Sequence, residues 1–242
     1  MVIASPLVHW LFPVDTDARG ADIEANDESH FPFAANGAGL LRLRANWNST
    51  MRISGGGARG IPLIVPRGDA VRPATDGMRQ AVFSSLGSRV VGVRFLDLFA
   101  GSGAYGLEAL SRGAIGGVFV EKNAKAVASL RRNLEAVCRS LGRGLQDLEI
   151  LQADASKSIN RGSDLPELIF IDPPYEIIVE ISGPLFARLG ESNPARGERL
   201  VVFEMPGEVE LNPPGWVCVK RLGKGVRQPT VAFFRQALSH AE

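Results

Sequence analysis

The chain has 242 residues, of which 45% are hydrophobic and 22% charged, enough for one α/β domain plus an appendage or for two small domains. No apolar run approaches the roughly 20 residues of a membrane span. The opening MVIASPLVHWLFPVDTDARG lacks the basic start and small-residue cleavage site of a signal peptide, so a cytoplasmic protein is expected. Cys138 and Cys218 lie far apart with no partner spacing, which implies neither a disulfide framework nor a zinc site, and both are expected to be buried small side chains.

The formal net charge of +1 conceals an asymmetry. Residues 1–50 hold three arginines against six acids, leaving 24 basic and 20 acidic residues after position 50. Between 51 and 94, Arg52, Arg59, Arg67, Arg72, Arg79, Arg89 and Arg94 face only Asp69 and Asp76. Arginines without a single lysine point to bidentate contacts with phosphates or carboxylates, or to a solvated basic surface.

Residues 1–50 show no sustained period of 2 or 3.6 and read as a poorly structured extension. MRISGGGARGIPLIVP, from Met51, reads as two short strands around a glycine-rich turn. In RPATDGMRQAVFSSLG, Thr75 or Asp76 can cap a helix carrying Met78, Ala81, Val82 and Leu86 at helical spacing, which completes a basic segment over 51–92. From 93 to 242 strand and helix alternate. VRFLDLFA leads to AYGLEALSRG, GGVFVEK to AKAVASLRRNLEAVCRSLG, LEILQAD to a short helical stretch, LPELIFID to IIVEISGPLFARLG, and RLVVFEM follows. That rhythm predicts an α/β fold, a parallel sheet with helices on both faces. WVCVKRLGKGVRQPTVAFFRQ reads as an antiparallel hairpin that closes the sheet.

Ligands of such sheets bind at the carboxyl ends of the strands. Four successive strands there end in an acid: Asp97, Glu121, Asp154 and Asp172. Gly101, Gly103 and Gly106 spell G-x-G-x-x-G, and Glu121 follows Gly101 by 20 positions, as a dinucleotide fingerprint asks. Asp97 argues against a pyrophosphate, because its charge would repel a phosphate and attract an ammonium. S-adenosylmethionine has a ribose, an adenine, an ammonium and a sulfonium and no phosphate, so Glu121 can serve its ribose and Asp154 its adenine amino group. An ordinary glycine turn with Asp97 as a cap is the plainer alternative.

FIDPPYE follows the apolar strand ending at Ile171. Pro173 and Pro174 remove two backbone donors and leave a rigid turn with free carbonyls. Asp172 adds a carboxylate and Tyr175 an aromatic face. Two acceptors, the Asp172 carboxylate and the Pro173 carbonyl, can hold both N–H bonds of an exocyclic amino group and free its lone pair, while Tyr175 stacks on an extruded base. The alternative is a plain Pro-Pro turn. No metal is required, and His9, His30 and His240 lie outside every motif.

LDLFAGSG with DPPY resembles the class I S-adenosylmethionine-dependent amino methyltransferases. RISGGGARG (52–60), VRPATD (71–76), FLDLFAGSGAYGLEALSRGA (95–114), VEKN (120–123) and FIDPPY (170–175) narrow the resemblance to the RsmD family, the bacterial small-subunit (16S) ribosomal RNA guanine-N2 methyltransferases, across roughly residues 51–237. The resemblance implies a Rossmann-like, mostly parallel seven-stranded sheet with a C-terminal antiparallel hairpin, and methyl transfer from S-adenosylmethionine to the N2 amino group of a guanine in 16S rRNA. It assigns Asp97, Gly101, Gly103, Glu121 and Asp154 to the cofactor, Arg72 and Thr75 to closure over its methionine end, and Asp172, Pro173, Pro174 and Tyr175 to catalysis. Arg52, Arg59 and Arg79 would meet RNA, free or in a partly assembled small subunit, and the protein would be a monomer. Gly77 departs from the charged residue the family usually carries there, which weakens the helix's first turn and removes an RNA contact. Met51, where the resemblance begins, can itself be an initiator, so residues 1–50 are expected to be either a lineage-specific extension or an upstream stretch. Methylation of DNA at adenine N6 or cytosine N4, an NAD(P) oxidoreductase and a non-catalytic RNA-binding protein are the rival readings.

Overall fold

The computed structural model describes residues 51–65, 76–159, 164–194, 198–223, 225 and 228–237. The expectations for residues 1–50, Arg72 and Thr75 lie outside them. Among the described residues nine strands form: β1 (Arg94–Leu98), β2 (Gly116–Glu121), β3 (Leu148–Gln152), β4 (Asp164–Leu165), β5 (Leu168–Ile171), β6 (Asn193–Pro194), β7 (Leu200–Pro206), β8 (Trp216–Leu222) and β9 (Pro229–Gln236). Four α-helices accompany them: α1 (Asp76–Leu86), α2 (Ala104–Ser111), α3 (Ala124–Ser140) and α4 (Ile178–Glu191).

Seven strands make one sheet in the order β3-β2-β1-β5-β7-β9-β8, while β4 and β6 pair separately. β3, β2, β1, β5 and β7 run parallel, and β9 is antiparallel to both β7 and β8. The strand–helix rhythm predicts this parallel sheet with a closing hairpin, and the resemblance implies its Rossmann-like, seven-stranded form. The strand order reverses between β1 and β5, the position where open sheets of this kind bind ligands.

Successive side chains along the central strands take opposite faces of the sheet, and that places two cores. Phe95, Phe119, Leu168, Phe170, Leu200 and Val202 face α1, α2 and α3. Leu96, Leu98, Val118, Val120, Ile169, Ile171, Val201 and Phe203 face α4. The inner strands are buried on both sides, which is why they read as continuous apolar runs.

Three local expectations need correction. The strand pair expected around the Gly55–Gly57 run reduces to one antiparallel bridge, Arg52 with Pro62. These glycines approach α2 instead: a Cβ on Gly56, at φ 78°, would fall 1.9 Å from the Ser111 carbonyl oxygen. The short helix expected after β3 is a turn, because the Asp154 carboxylate accepts from the Ser156 N–H and hydroxyl and so competes with helical hydrogen bonding. Cys138 is buried as expected, but Cys218 is exposed, on outer strand β8, where Val217 and Val219 are exposed too.

Candidate active site

β1 delivers Asp97 to the carboxyl edge of the sheet. Its side chain continues the row of Phe95 beneath α2, is 1% exposed, and accepts from the Gly106 N–H at 2.9 Å. Burial pushes its carboxyl up to about 7, the neighbouring Glu121 charge adds to the rise, and the Gly106 hydrogen bond works against it.

Between β1 and α2 the backbone turns sharply. Phe99, at φ 61°, is the one non-glycine with positive φ among the described residues, a costly conformation of the kind that clusters at binding sites. Gly101 and Gly103 follow at φ 54° and 86°. The two glycines differ in what surrounds them. A Cβ on Gly103 would lie 2.3 Å from Leu130 Cδ1, whereas one on Gly101 would meet nothing within 4 Å among the described residues, which leave space in front of it. A Cβ on Gly106 would strike Phe119 at 2.3 Å and Phe95 at 2.6 Å, so this glycine sets the close packing of α2 on the sheet. Asn133 of α3 holds the loop through the Ser102 carbonyl at 2.9 Å.

Glu121 ends β2 half-buried and accepts from the Gly101 N–H at 2.8 Å and the Asn123 N–H at 2.7 Å. Each carboxylate oxygen keeps a lone pair for a further donor. Asp154 stands beyond β3, half-buried, and the Ser156 hydroxyl holds its carboxyl below the usual carboxylate range, with smaller help from the Ser156 N–H, Lys157 and Lys122.

Asp172 to Tyr175 leave β5 beside β1, and the Asp172 N–H still reaches the Leu98 carbonyl at 3.4 Å. Pro173 is buried, Pro174 is exposed, and half-buried Tyr175 packs against the α4-side core. Asp172 continues the row of Phe170, on the same face as Asp97. Its carboxyl sits well above the ordinary value, through burial first and then the charges of Glu204 and Asp97.

Sequence reasoning missed Glu204. It lies within the apolar run of β7, 1% exposed, and accepts from the Tyr105 hydroxyl at 2.7 Å. Burial raises its carboxyl to about 7, while the Tyr105 hydrogen bond and the Arg79 charge oppose the rise. The available signal was a fifth strand with an acid near its end.

The basic segment divides. Arg52 and Arg59 are exposed, with Arg52 4.0 Å from Asp76. Arg79 is not on that surface, contrary to the expectation that it meets RNA: its side chain is fully buried. It binds Asp76 at 2.7 Å, Glu108 at 3.3 Å and the Arg52 carbonyl. Glu108, also fully buried, draws it inward and accepts as well from the Ser54 N–H and hydroxyl, each at 2.8 Å, and from Arg112 at 2.7 Å.

The glycine loop, the buried acids and the proline tetrad thus meet where the strand order reverses. Residues 51–232 match the family described as Conserved hypothetical protein 95. The chain belongs to that family. Among its relatives, Ribosomal RNA small subunit methyltransferase D of Escherichia coli K12 is 35% identical over 52% of this chain and 60% of its own length. YlbH of Bacillus subtilis, a candidate rRNA methyltransferase, is 31% identical over 66% of this chain and 85% of its own. The solved structure of yhhF from Escherichia coli superposes with a TM-score of 0.64 at 26% identity, covering 78% of this chain and 99% of that one.

Proposed function

We propose that the protein methylates the N2 amino group of a guanine in small-subunit ribosomal RNA, with S-adenosylmethionine as methyl donor. One observation carries this reading: the Asp172–Tyr175 turn leaves β5 directly beside the loop that leaves β1. The residues fit the donor molecule. The described residues leave space before Gly101, half-exposed carboxylates at Glu121 and Asp154 await hydroxyl and amino donors, and Asp97 offers negative charge to an ammonium. A pyrophosphate would be repelled by the acid at the end of β1, which disfavours the dinucleotide alternative. Arg72 and Thr75 are assigned to its methionine end by the family resemblance alone.

Bound S-adenosylmethionine supplies an electrophilic methyl group. The Asp172 carboxylate and Pro173 carbonyl accept the two N–H bonds of the guanine amino group, so its lone pair is released from the ring. Tyr175 and exposed Pro174 flank the base, and exposed Arg52 and Arg59 lie on the segment that meets RNA phosphates. Catalysis rests on positioning more than on a strong base. Among the described residues no helix is long and apolar enough to cross a membrane. A cytoplasmic monomer acting on rRNA or a partly assembled small subunit completes the reading.

The test is transfer of labelled methyl to unmethylated small subunits, free rRNA and duplex DNA, followed by nucleoside analysis. Label in N2-methylguanosine is expected. Label in N6-methyladenine or N4-methylcytosine would overturn the RNA assignment, and failure to bind S-adenosylmethionine would overturn the whole reading.

A further inference from the structure

We propose that Glu204 is a positioning residue for methyl transfer: it and Asp172 form a side-by-side carboxyl pair, anchored to α2 through Tyr105, that keeps one proton and one negative charge against the substrate amino group. The proposal rests on the reading above for its chemistry, but the pair itself is a matter of placement.

β5 and β7 run parallel with Ile171 opposite Phe203, so Asp172 and Glu204 are the next two residues on adjacent strands. Adjacent strands lie about 4.8 Å apart, and residues opposite each other in a parallel pair share a face. Both acids continue the α2-side rows, Asp172 after Leu168 and Phe170, Glu204 after Leu200 and Val202. Glu204 is fixed: the Tyr105 hydroxyl donates to it at 2.7 Å, and the Tyr105 ring stacks on Phe170 at 5.4 Å and lies 6.4 Å from Phe83.

The surrounding charges do not neutralise the pair. Asp97 acts on it from β1, Tyr105 reaches Glu204 from α2, and Arg79, itself bound by Glu108, acts from α1, while β9 places the apolar Val231 opposite Glu204. Arg79 acts on Glu204, and it is already committed to Glu108, Asp76 and the Arg52 carbonyl. Its Nη1 is buried without a hydrogen-bond partner among the described residues. Two carboxyls side by side, Glu204 buried and Asp172 half-buried, with Arg79 divided among other partners, share a proton instead of both ionising. Both are raised above the ordinary carboxylate range, burial being the larger cause.

The consequence for the reaction concerns one proton. The amino nitrogen forms a bond to the methyl carbon as the carbon–sulfur bond breaks, the sulfur keeps that electron pair, and the nitrogen sheds a proton. The pair is the acceptor placed beside it. Asp172 touches the substrate, and Glu204 acts through Asp172.

The experiment titrates the free protein by carbon-detected NMR of its labelled Asp and Glu carboxyls, in wild type, Glu204→Gln and Asp172→Asn. Glu204→Gln keeps an oxygen for Tyr105, and Asp172→Asn keeps the shape of the turn, so either variant reports if the other fails to fold. The midpoint of the remaining carboxyl is expected to fall by about one unit or more in each variant. In the transfer assay, the acid limb of kcat is expected to move down by a similar amount in Glu204→Gln, with KM for S-adenosylmethionine within about twofold, whereas a purely structural role would lower activity without moving the limb. Midpoints that stay put in both variants would overturn the pair even if methyl transfer to guanine is observed. Coupled midpoints without any transfer would uphold the pair and overturn the functional reading instead.

Discussion

The two halves of the sheet's carboxyl edge use the same residue types in opposite ways. On the β2–β3 side, Glu121 and Asp154 are half-exposed and occupied by backbone and hydroxyl donors, and Asp154 is held below the usual carboxylate range. On the β1–β5–β7 side, Asp97 and Glu204 are buried, each accepting a hydrogen bond, from the Gly106 N–H and the Tyr105 hydroxyl, and both are raised to about 7, while Asp172 is also raised well above the ordinary carboxylate value. Acids held as anions recognise hydroxyls and amines. Acids held near neutrality are poised to exchange a proton. On the functional reading above, the β2–β3 half would hold the hydroxyls and amino group of the donor, while the other half would hold its ammonium at Asp97 and set the Asp172–Glu204 pair beside the reacting nitrogen.

The largest expected effect tests that division directly. Asp172→Ala should lower methyl transfer by roughly 10³-fold while S-adenosylmethionine affinity, read by calorimetry, stays nearly unchanged. Loss of both would erase the distinction between the halves. Glu108→Ala comes next: it strands Arg79 and releases Ser54 and Arg112, at a cost of about 3 kcal/mol in denaturant unfolding, because removing one partner leaves a buried charge unpaired.

Asp97→Asn sharpens the contrast through pH. A carboxyl whose folded value lies near 7, against an unfolded value near 3.8, binds more protons when folded. Its stabilising contribution is therefore complete below the unfolded value and is lost as pH rises through about 7. Thermal melts of the wild type should lose stability over that window, and those of Asp97→Asn should lose less. Ser156→Ala probes the other half with the opposite sign. Removing the hydroxyl that holds Asp154 down should raise its titration, so that about 0.5 kcal/mol of stability is lost above the carboxylate range at this half-exposed site, a deficit that closes as pH falls through that range. The smallest effect is that of Arg59→Ala on the exposed segment: an unchanged melting temperature, and RNA affinity reduced a few-fold with a shallower salt dependence.

Much of this site is legible in the sequence because it is written in short local signals. The glycine loop, the apolar runs of β1 and β5, and the tetrad each fall within a few residues, and burial on both faces keeps the strands uninterrupted. What escapes is set by contacts distant in the chain. Arg79 reads as a surface arginine in DGMRQAV and is buried only because Glu108, 29 residues on, lies opposite it. Glu204 gives no motif in RLVVFEM, and its meaning depends on Tyr105, 99 residues earlier, and on strand β5 lying alongside. Cys218 and its neighbours read as a core strand, but β8 is the outermost strand of the sheet and lies open.

The tie between Ser54 and Glu108 also has a bearing on the order of events during synthesis. Ser54 leaves the ribosome 54 residues ahead of its acceptor, which at roughly 5–20 residues per second means a wait of several seconds. Throughout that interval the segment around Met51–Val65 has no α2 to lie against, so it docks only after β1 and α2 have been made. The first described stretch of the chain to emerge is thus among the last to find its place, and the arginines it carries are presented only once the glycine loop beneath them exists.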